Sequence, residues 1–262
     1  MRTGGCLNNT LAAAALSIAG AGLLLPLSCD GQPLKVLSAG ACERFVAAMA
    51  TELQKQRGKP VSIQEDTVGR LVHRINQGER FDVALLTPAG LERIRGRFVA
   101  GSQVELVRVG IGVAVRQGAP LPDIGSVESF KRALRQAASI AYVDPALGGT
   151  SGIYFSHLLE RLGIADSVRP KAMLVPGGAV AQRVAAGQAE IGIQMISELV
   201  GAKGVTLVGP LPAPIQTYTV YAGVIGASSS DPTAARALLE LLASPKAAGA
   251  LKAAGLERPS TR

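Results

Sequence analysis

The sequence predicts an α/β fold of two lobes, each a mostly parallel sheet covered by helices, with a ligand cleft between them. Three observations carry that prediction. Short apolar runs of strand length alternate with helical repeats along nearly the whole chain, the pattern of a sheet buried on both faces. Two longer runs, the valine-rich Val104 to Val115 and Thr217 to Ile225, bracket a middle α/β unit and read as crossovers between lobes. The 262 residues are 48% hydrophobic and only 18% charged, enough to bury a large core. The expected boundaries are 30–112 plus 218–262 for lobe 1 and 113–217 for lobe 2.

At the amino terminus, Arg2 is the only charge before Asp30, and Leu11 to Leu27 is an alanine-rich apolar stretch. Residues 1–29 therefore read as an export signal. Cys29, preceded by Leu25-Pro26-Leu27-Ser28, is a candidate lipid-attachment site. A membrane span is the alternative, although the run is barely long enough and Pro26 interrupts its end. Leu34 to Ser38 then fits a buried strand, and Cys42 to Arg57 has apolar residues at helical spacing, ended by Gly58. Val61 to Gln64 alternates as a strand, Thr67 to Gln77 is an amphipathic helix closed by Gly78, and Asp82 to Leu86 is a third strand followed by Thr87 and Pro88 at a helix start. After the long strand from Val104, the run Gly118-Ala119-Pro120-Leu121-Pro122 breaks the chain.

The alternation then repeats. Helices are expected at Val127 to Gln136, Ser151 to Leu162, Val180 to Ala186 and Ile196 to Val200. Strands are expected at Ser139 to Val143, Lys171 to Val175 and Ile191 to Gln194. After the strand from Thr217 come helices near Pro232 to Leu242 and Lys246 to Ala254.

Composition excludes several function classes. Aromatic residues make up 3% and tryptophan is absent, which leaves no stacking platform for single-stranded nucleic acid. The net charge of +8 comes from 27 Lys and Arg against 19 Asp and Glu, with the positives scattered singly rather than gathered into a phosphate-tracking run. Nucleic acid is not an expected partner; a small anionic ligand suits the arginine excess equally well. Cys6, Cys29 and Cys42 are too few for a disulfide framework, and Cys42 reads as a small buried hydrophobe. His73 and His157 lack metal-site spacing, so no metal is expected.

In open parallel sheets, ligands sit beyond the carboxyl ends of the strands, where the following helices begin. Four such turns can be read: Ser38-Ala39-Gly40-Ala41-Cys42, Glu65-Asp66-Thr67-Val68-Gly69-Arg70, Gly148-Gly149-Thr150-Ser151-Gly152 and Pro176-Gly177-Gly178-Ala179. Each offers backbone N–H groups at a helix start, and its glycines permit close approach to an anion. No Gly-Lys-Ser/Thr follows the glycines and no Gly-x-Gly-x-x-Gly opens the first helix, which removes the nucleotide readings.

The element order, the export signal and the opening Leu-x-Val-Leu-Ser-Ala-Gly resemble the type II periplasmic solute-binding fold, within the molybdate-binding-protein superfamily. Asn76-Gln77-Gly78-Glu79-Arg80-Phe81-Asp82-Val83, Ser151-Gly152-Ile153-Tyr154 and Ala186-Gly187-Gln188-Ala189-Glu190-Ile191-Gly192 carry the resemblance. It implies an oxyanion held by hydroxyls after the first two strands, amides of the second lobe and a tyrosine. Here Ala41 stands at the first hydroxyl position, Val68 and Gly69 replace a serine pair, and Gln194-Met195 occupy the tyrosine region. Three further segments, Gly101-Ser102-Gln103-Val104-Glu105-Leu106, Arg116 to Ile124, and Glu190 to Gln194 with Ser197-Glu198-Leu199, resemble a divergent branch that includes periplasmic aconitate isomerases.

That branch implies a tricarboxylate ligand in the periplasm and an allylic proton shift without a cofactor. Glu65 or Asp66 is then the expected base and Arg70, one helical turn on, a carboxylate clamp; the alternative is that both acids only cap the helix near Thr67. Ser38, Ala41, Thr87, Thr150, Ser151, Gly152, Gly178 and Gln194 complete the expected ligand-binding set. The competing function is a monomeric receptor that delivers an organic acid or an oxyanion such as molybdate to a membrane permease.

Overall fold

The computed structural model describes residues 32–259, so the export-signal segment, Cys6 and Cys29 lie outside the described residues. The strands are Leu34–Ala39 (β1), Val61–Asp66 (β2), Val83–Leu86 (β3), Val104–Arg116 (β4), Ile140–Val143 (β5), Ala172–Val175 (β6), Ile191–Met195 (β7), Val205–Pro210 (β8) and Tyr218–Ile225 (β9). They pair in the order β2-β1-β3-β9-β4-β7-β5-β6, with β8 added beside β4. Two parallel triplets, β2-β1-β3 and β6-β5-β7, are joined through antiparallel pairings made by β4 and β9. The parallel order is thus confined to the triplets, and the sheet as a whole is mixed.

Local chemistry accounts for the elements. In β1 every side chain but Lys35 is buried, as expected for a strand with helices on both faces. The helix Glu43–Arg57 stops at Gly58, whose φ of 65° suits glycine and lets its N–H reach Gln54 O at 2.8 Å. Thr67 caps the helix Val68–Asn76 by accepting the Arg70 N–H, and Ser126 with Ser129 forms a reciprocal capping box on Val127–Gln136. Among the described residues no helix is long and apolar enough to cross a membrane. Among the strands and α-helices, two elements lie outside the sequence expectation. The strand β8 is a half-buried edge between Gly204 and Pro210, so neither alternation nor a continuous buried run marks it. The four-residue helix Ala165–Val168 is too short to show periodicity.

The strand β4 changes partners halfway. Val104 to Gly110 pairs with β9, whereas Ile111 to Val115 pairs with β7 and Gly112 to Arg116 with β8. At the changeover Gln216 substitutes for a strand: its Oε1 accepts the Ile111 N–H at 3.0 Å and its Nε2 donates to Ile111 O at 2.8 Å. Gly110 leaves the room, since a Cβ there would stand 3.0 Å from Gln216 Nε2. A backbone donor buried without a partner costs about 1–3 kcal/mol. Gln216→Ala should therefore lower unfolding stability by about 1–3 kcal/mol, read from urea denaturation, and an unchanged midpoint would show that water replaces the amide at no cost.

Candidate functional site

The carboxyl ends of β1, β2, β5, β6 and β7 meet at one cavity of about 220 Å³. Its walls come from all four turns expected from the sequence: Gly40 and Ala41 after β1, Glu65 to Val68 and Arg70 after β2, Gly149 to Ser151 after β5, and Gly177 and Gly178 after β6. A fifth strand end adds Met195 and Glu198, and Tyr221 reaches the floor from β9.

Of the expected ligand-binding and catalytic residues, Ala41, Glu65, Asp66, Arg70, Thr150, Ser151 and Gly178 stand on this wall. The other four stand elsewhere. Ser38 is buried and its hydroxyl donates to Ala39 O at 3.0 Å. Thr87 accepts the Gly90 N–H as a helix cap and lines a separate groove with Arg93 and His157. Gly152 packs so closely on β5 that a Cβ would lie 1.9 Å from Val143 O, which makes it a packing residue. Gln194 is fully buried behind the wall, with neither amide atom in a hydrogen bond.

The two adjacent acids differ sharply. Asp66 accepts the Thr67 N–H at 2.8 Å and lies 3.8 Å from Arg70 and 3.7 Å from Arg74, so its charge is already compensated. Glu65 has no cation within ion-pair distance among the described residues; partial burial and the charges of Glu43 and Asp66 push its carboxyl above the usual range. Beside it, Glu198 is pushed up to about 8, first by burial and then by Glu65. Gln194 faces Glu198 and works against that rise. The Tyr221 phenol, which faces Thr150, is also raised by burial. The cavity thus combines backbone donors and the half-exposed Arg70 guanidinium, which suit carboxylates, with two carboxyls of unequal proton affinity, which suit acid–base work.

The rims of the two parallel triplets touch over this cavity. Thr67 Oγ1 donates to Leu147 O, and the Gly69 N–H donates to Gly148 O at 3.2 Å. Contact between the two glycines is backbone to backbone: a Cβ on Gly69 would come within 2.7 Å of Gly148 Cα. Gly148 has a φ of 71°, a conformation that glycine adopts without strain.

A family profile described as bacterial extracellular solute-binding protein matches residues 34–257. The chain belongs to that family. An aconitate isomerase of a Pseudomonas species is 37% identical over 259 residues, 95% of each chain. The molybdate-binding protein ModA of Azotobacter vinelandii is 32% identical over 255 residues, 90% of this chain and 94% of that one. Among solved structures, an Azotobacter vinelandii periplasmic molybdate-binding protein superposes with a TM-score of 0.75 at 21% identity, covering 87% of this chain and all of that one. The sulfate-binding protein SubI of Mycobacterium tuberculosis H37Rv superposes with a TM-score of 0.68 at 16% identity, covering 87% of each. The fold is that of the periplasmic solute-binding proteins, as the element order predicted.

Sequence reasoning missed Glu198 and Tyr221 as site residues. The signal for Glu198 was present, because it follows the carboxyl end of β7 and the strand-end rule applies there too. The apolar neighbours Ile196, Leu199 and Val200 made that turn read as core. Tyr221 lies inside a strand, and nothing local says which face meets the cavity.

The glycine contact makes a direct prediction. Alanine is the better helix residue, so Gly69→Ala should fold normally, yet its methyl cannot fit against Gly148 unless the rims separate. Ligand affinity should fall by about tenfold or more, roughly 1.4 kcal/mol, with a larger radius of gyration in solution scattering. Unchanged affinity and radius would mean that the contact plays no part in closure.

Proposed function

We propose that this protein is an exported isomerase that interconverts trans- and cis-aconitate by an allylic proton shift. The observation that carries this reading is the nearly full-length likeness to the Pseudomonas aconitate isomerase, and the cavity chemistry supports it. A tricarboxylate needs fixed positive potential at several points; Arg70 and the N–H groups of the turns at Gly40, Gly149 to Ser151, and Gly177 to Gly178 provide it. The reaction needs a base beside the methylene carbon, and Glu65, raised in proton affinity and unpaired, suits that role better than the compensated Asp66. At the positions where the molybdate-binding pattern has hydroxyls, Ala41 and Val68 face the cavity, which disfavours a tetrahedral oxyanion.

In the same reading residues 1–29 are the signal that sends the protein to the periplasm, with Cys29 available for a lipid anchor. The mature protein works as a monomer without a cofactor, and 30–112 with 218–262 closes against 113–217. The partner change on β4 beside Ile111, and the start of β9 at Tyr218, support those boundaries. In the first step Glu65 takes a proton from the methylene carbon, and the resulting charge spreads over the three-carbon unit and its carboxylates. Arg70 and the backbone donors stabilise that charge more than they stabilise the substrate, which lowers the barrier.

Incubating the mature protein with trans-aconitate and following the cis isomer tests the reading. Turnover is expected, and binding without turnover would make the protein a receptor for a permease instead. Glu65→Gln should lower turnover by about 100-fold or more while binding persists. Asp66→Asn should instead cost about 1 kcal/mol of stability and little rate. If the Asn variant loses the rate and the Gln variant keeps it, the base is Asp66. Arg70→Ala should weaken tricarboxylate binding by about 1.5–3 kcal/mol, measured by calorimetry, and unchanged affinity would place its guanidinium outside the ligand contact.

A further inference from the structure

We propose that Glu198 is a second catalytic carboxyl, the acid that delivers a proton to the carbon opposite the one Glu65 deprotonates; this rests on the isomerase reading above. Both side chains line the same cavity, Glu65 from the end of β2 and Glu198 from the turn Ile196–Leu199 after β7. They converge over one glycine. A Cβ on Gly40 would stand 3.0 Å from Glu198 Oε1 and 3.8 Å from Glu65 Oε2, so both carboxyls face one small volume above that backbone. Any larger residue at Gly40 would enter the space where the two meet.

The surroundings of Glu198 favour an uncharged carboxyl. Among the described residues it has no ion-pair partner, while the carboxyl of Glu65 faces it from β2. The uncharged groups near it are the buried Cys42 thiol in the first helical turn, the buried Tyr221 phenol on β9 and the Gln194 amide on β7. Neither amide atom of Gln194 is hydrogen-bonded, and the hydroxyl of the adjoining Ser197 is also buried without a partner. These unsatisfied groups lie beside Glu198, where buried polar atoms ordinarily find partners. Burial and the Glu65 charge push the Glu198 carboxyl up to about 8, so at neutral pH it favours the protonated form.

The proton count balances without any co-reactant. The Glu65 carboxylate removes a proton from the methylene carbon, breaking that C–H bond as the electron pair moves into the three-carbon unit. The Glu198 O–H gives its proton to the former vinyl carbon, forming the new C–H bond as the double bond settles at the former methylene carbon. The enzyme is left with Glu65 protonated and Glu198 ionised, which is the state required for the reverse reaction. Exchange of one proton through solvent resets the pair.

The experiment follows trans-aconitate in heavy water by proton NMR with the wild type, Glu198→Gln and Glu65→Gln. The wild type should isomerise and place deuterium in the product. Glu198→Gln should lose isomerisation by about 100-fold or more yet still exchange the methylene protons of bound trans-aconitate, because Glu65 remains to break that bond. Glu65→Gln should lose both. Near-normal isomerisation by Glu198→Gln overturns the proposal, as does loss of exchange with loss of binding in that variant, which would make Glu198 a binding residue. A wild type that neither isomerises nor exchanges overturns the isomerase reading itself, and the acid role with it.

A measurement independent of activity reports on Glu198 directly. Its folded carboxyl keeps a proton that the unfolded chain releases, so wild-type stability falls as pH rises from 4.5 to about 8. Glu198→Gln has no such proton to lose. Its melting temperature relative to wild type should rise through that interval and level off above it, whereas a constant difference overturns the assignment.

Discussion

One strand joins the two halves of the sheet, and the rest of the molecule depends on how that is arranged. The strand β4 runs thirteen residues and exchanges β9 for β7 and β8 at the step from Gly110 to Ile111. A backbone that leaves one neighbour before gaining another exposes its polar groups, and Gln216 covers both groups of Ile111 at that step. With β4 and β9 in place, the parallel triplets β2-β1-β3 and β6-β5-β7 lie on opposite sides of them, with the carboxyl ends of β1, β2, β5, β6 and β7 opening on the same cavity. The cleft is therefore a consequence of connectivity rather than of any single loop.

The electrostatics of the cavity follow from what each strand end contributes. Helix and turn starts bring backbone donors, and Arg70 brings a cation at the mouth, so the cavity attracts anions. Placing two carboxylates in such a site would defeat that attraction unless one remains protonated. Desolvation and mutual repulsion do this for Glu198 beside Glu65, as for any pair of like charges that share a confined space. The neighbouring Asp66 follows the opposite course, because Arg70 and Arg74 stand within 4 Å and compensate it. Adjacent acids in one turn thus acquire different chemistry from their different neighbours.

Close approach over the cavity is the work of glycine at specific places. Gly69 and Gly148 meet backbone to backbone across the rims, and Gly40 leaves space for two carboxyls. These are steric requirements of a site in which a ligand must be surrounded by main chain. They differ from the role of Gly58, which only ends a helix in a left-handed turn.

How much of this was legible beforehand depends on the range of the interactions involved. Local periodicity and capping are written within a few residues, so the strand β1, the helix Val127–Gln136 and the stop at Gly58 could be read directly. The rule for strand ends then placed Glu65, Arg70, Thr150 and Gly178 on one wall, because it needs only the order of elements. The half-buried edge strand β8 could not be read, since its pattern depends on β4, which lies some ninety residues earlier in the sequence. By itself the sequence determined most of the elements, their order and four of the five turns around the cleft, all of which rest on local chemistry. Only the tertiary structure separated Glu65 from Asp66, turned Ser38 and Gln194 away from the cavity, and brought Glu198 and Tyr221 into it, because burial and charge at a site are set by residues distant in the chain.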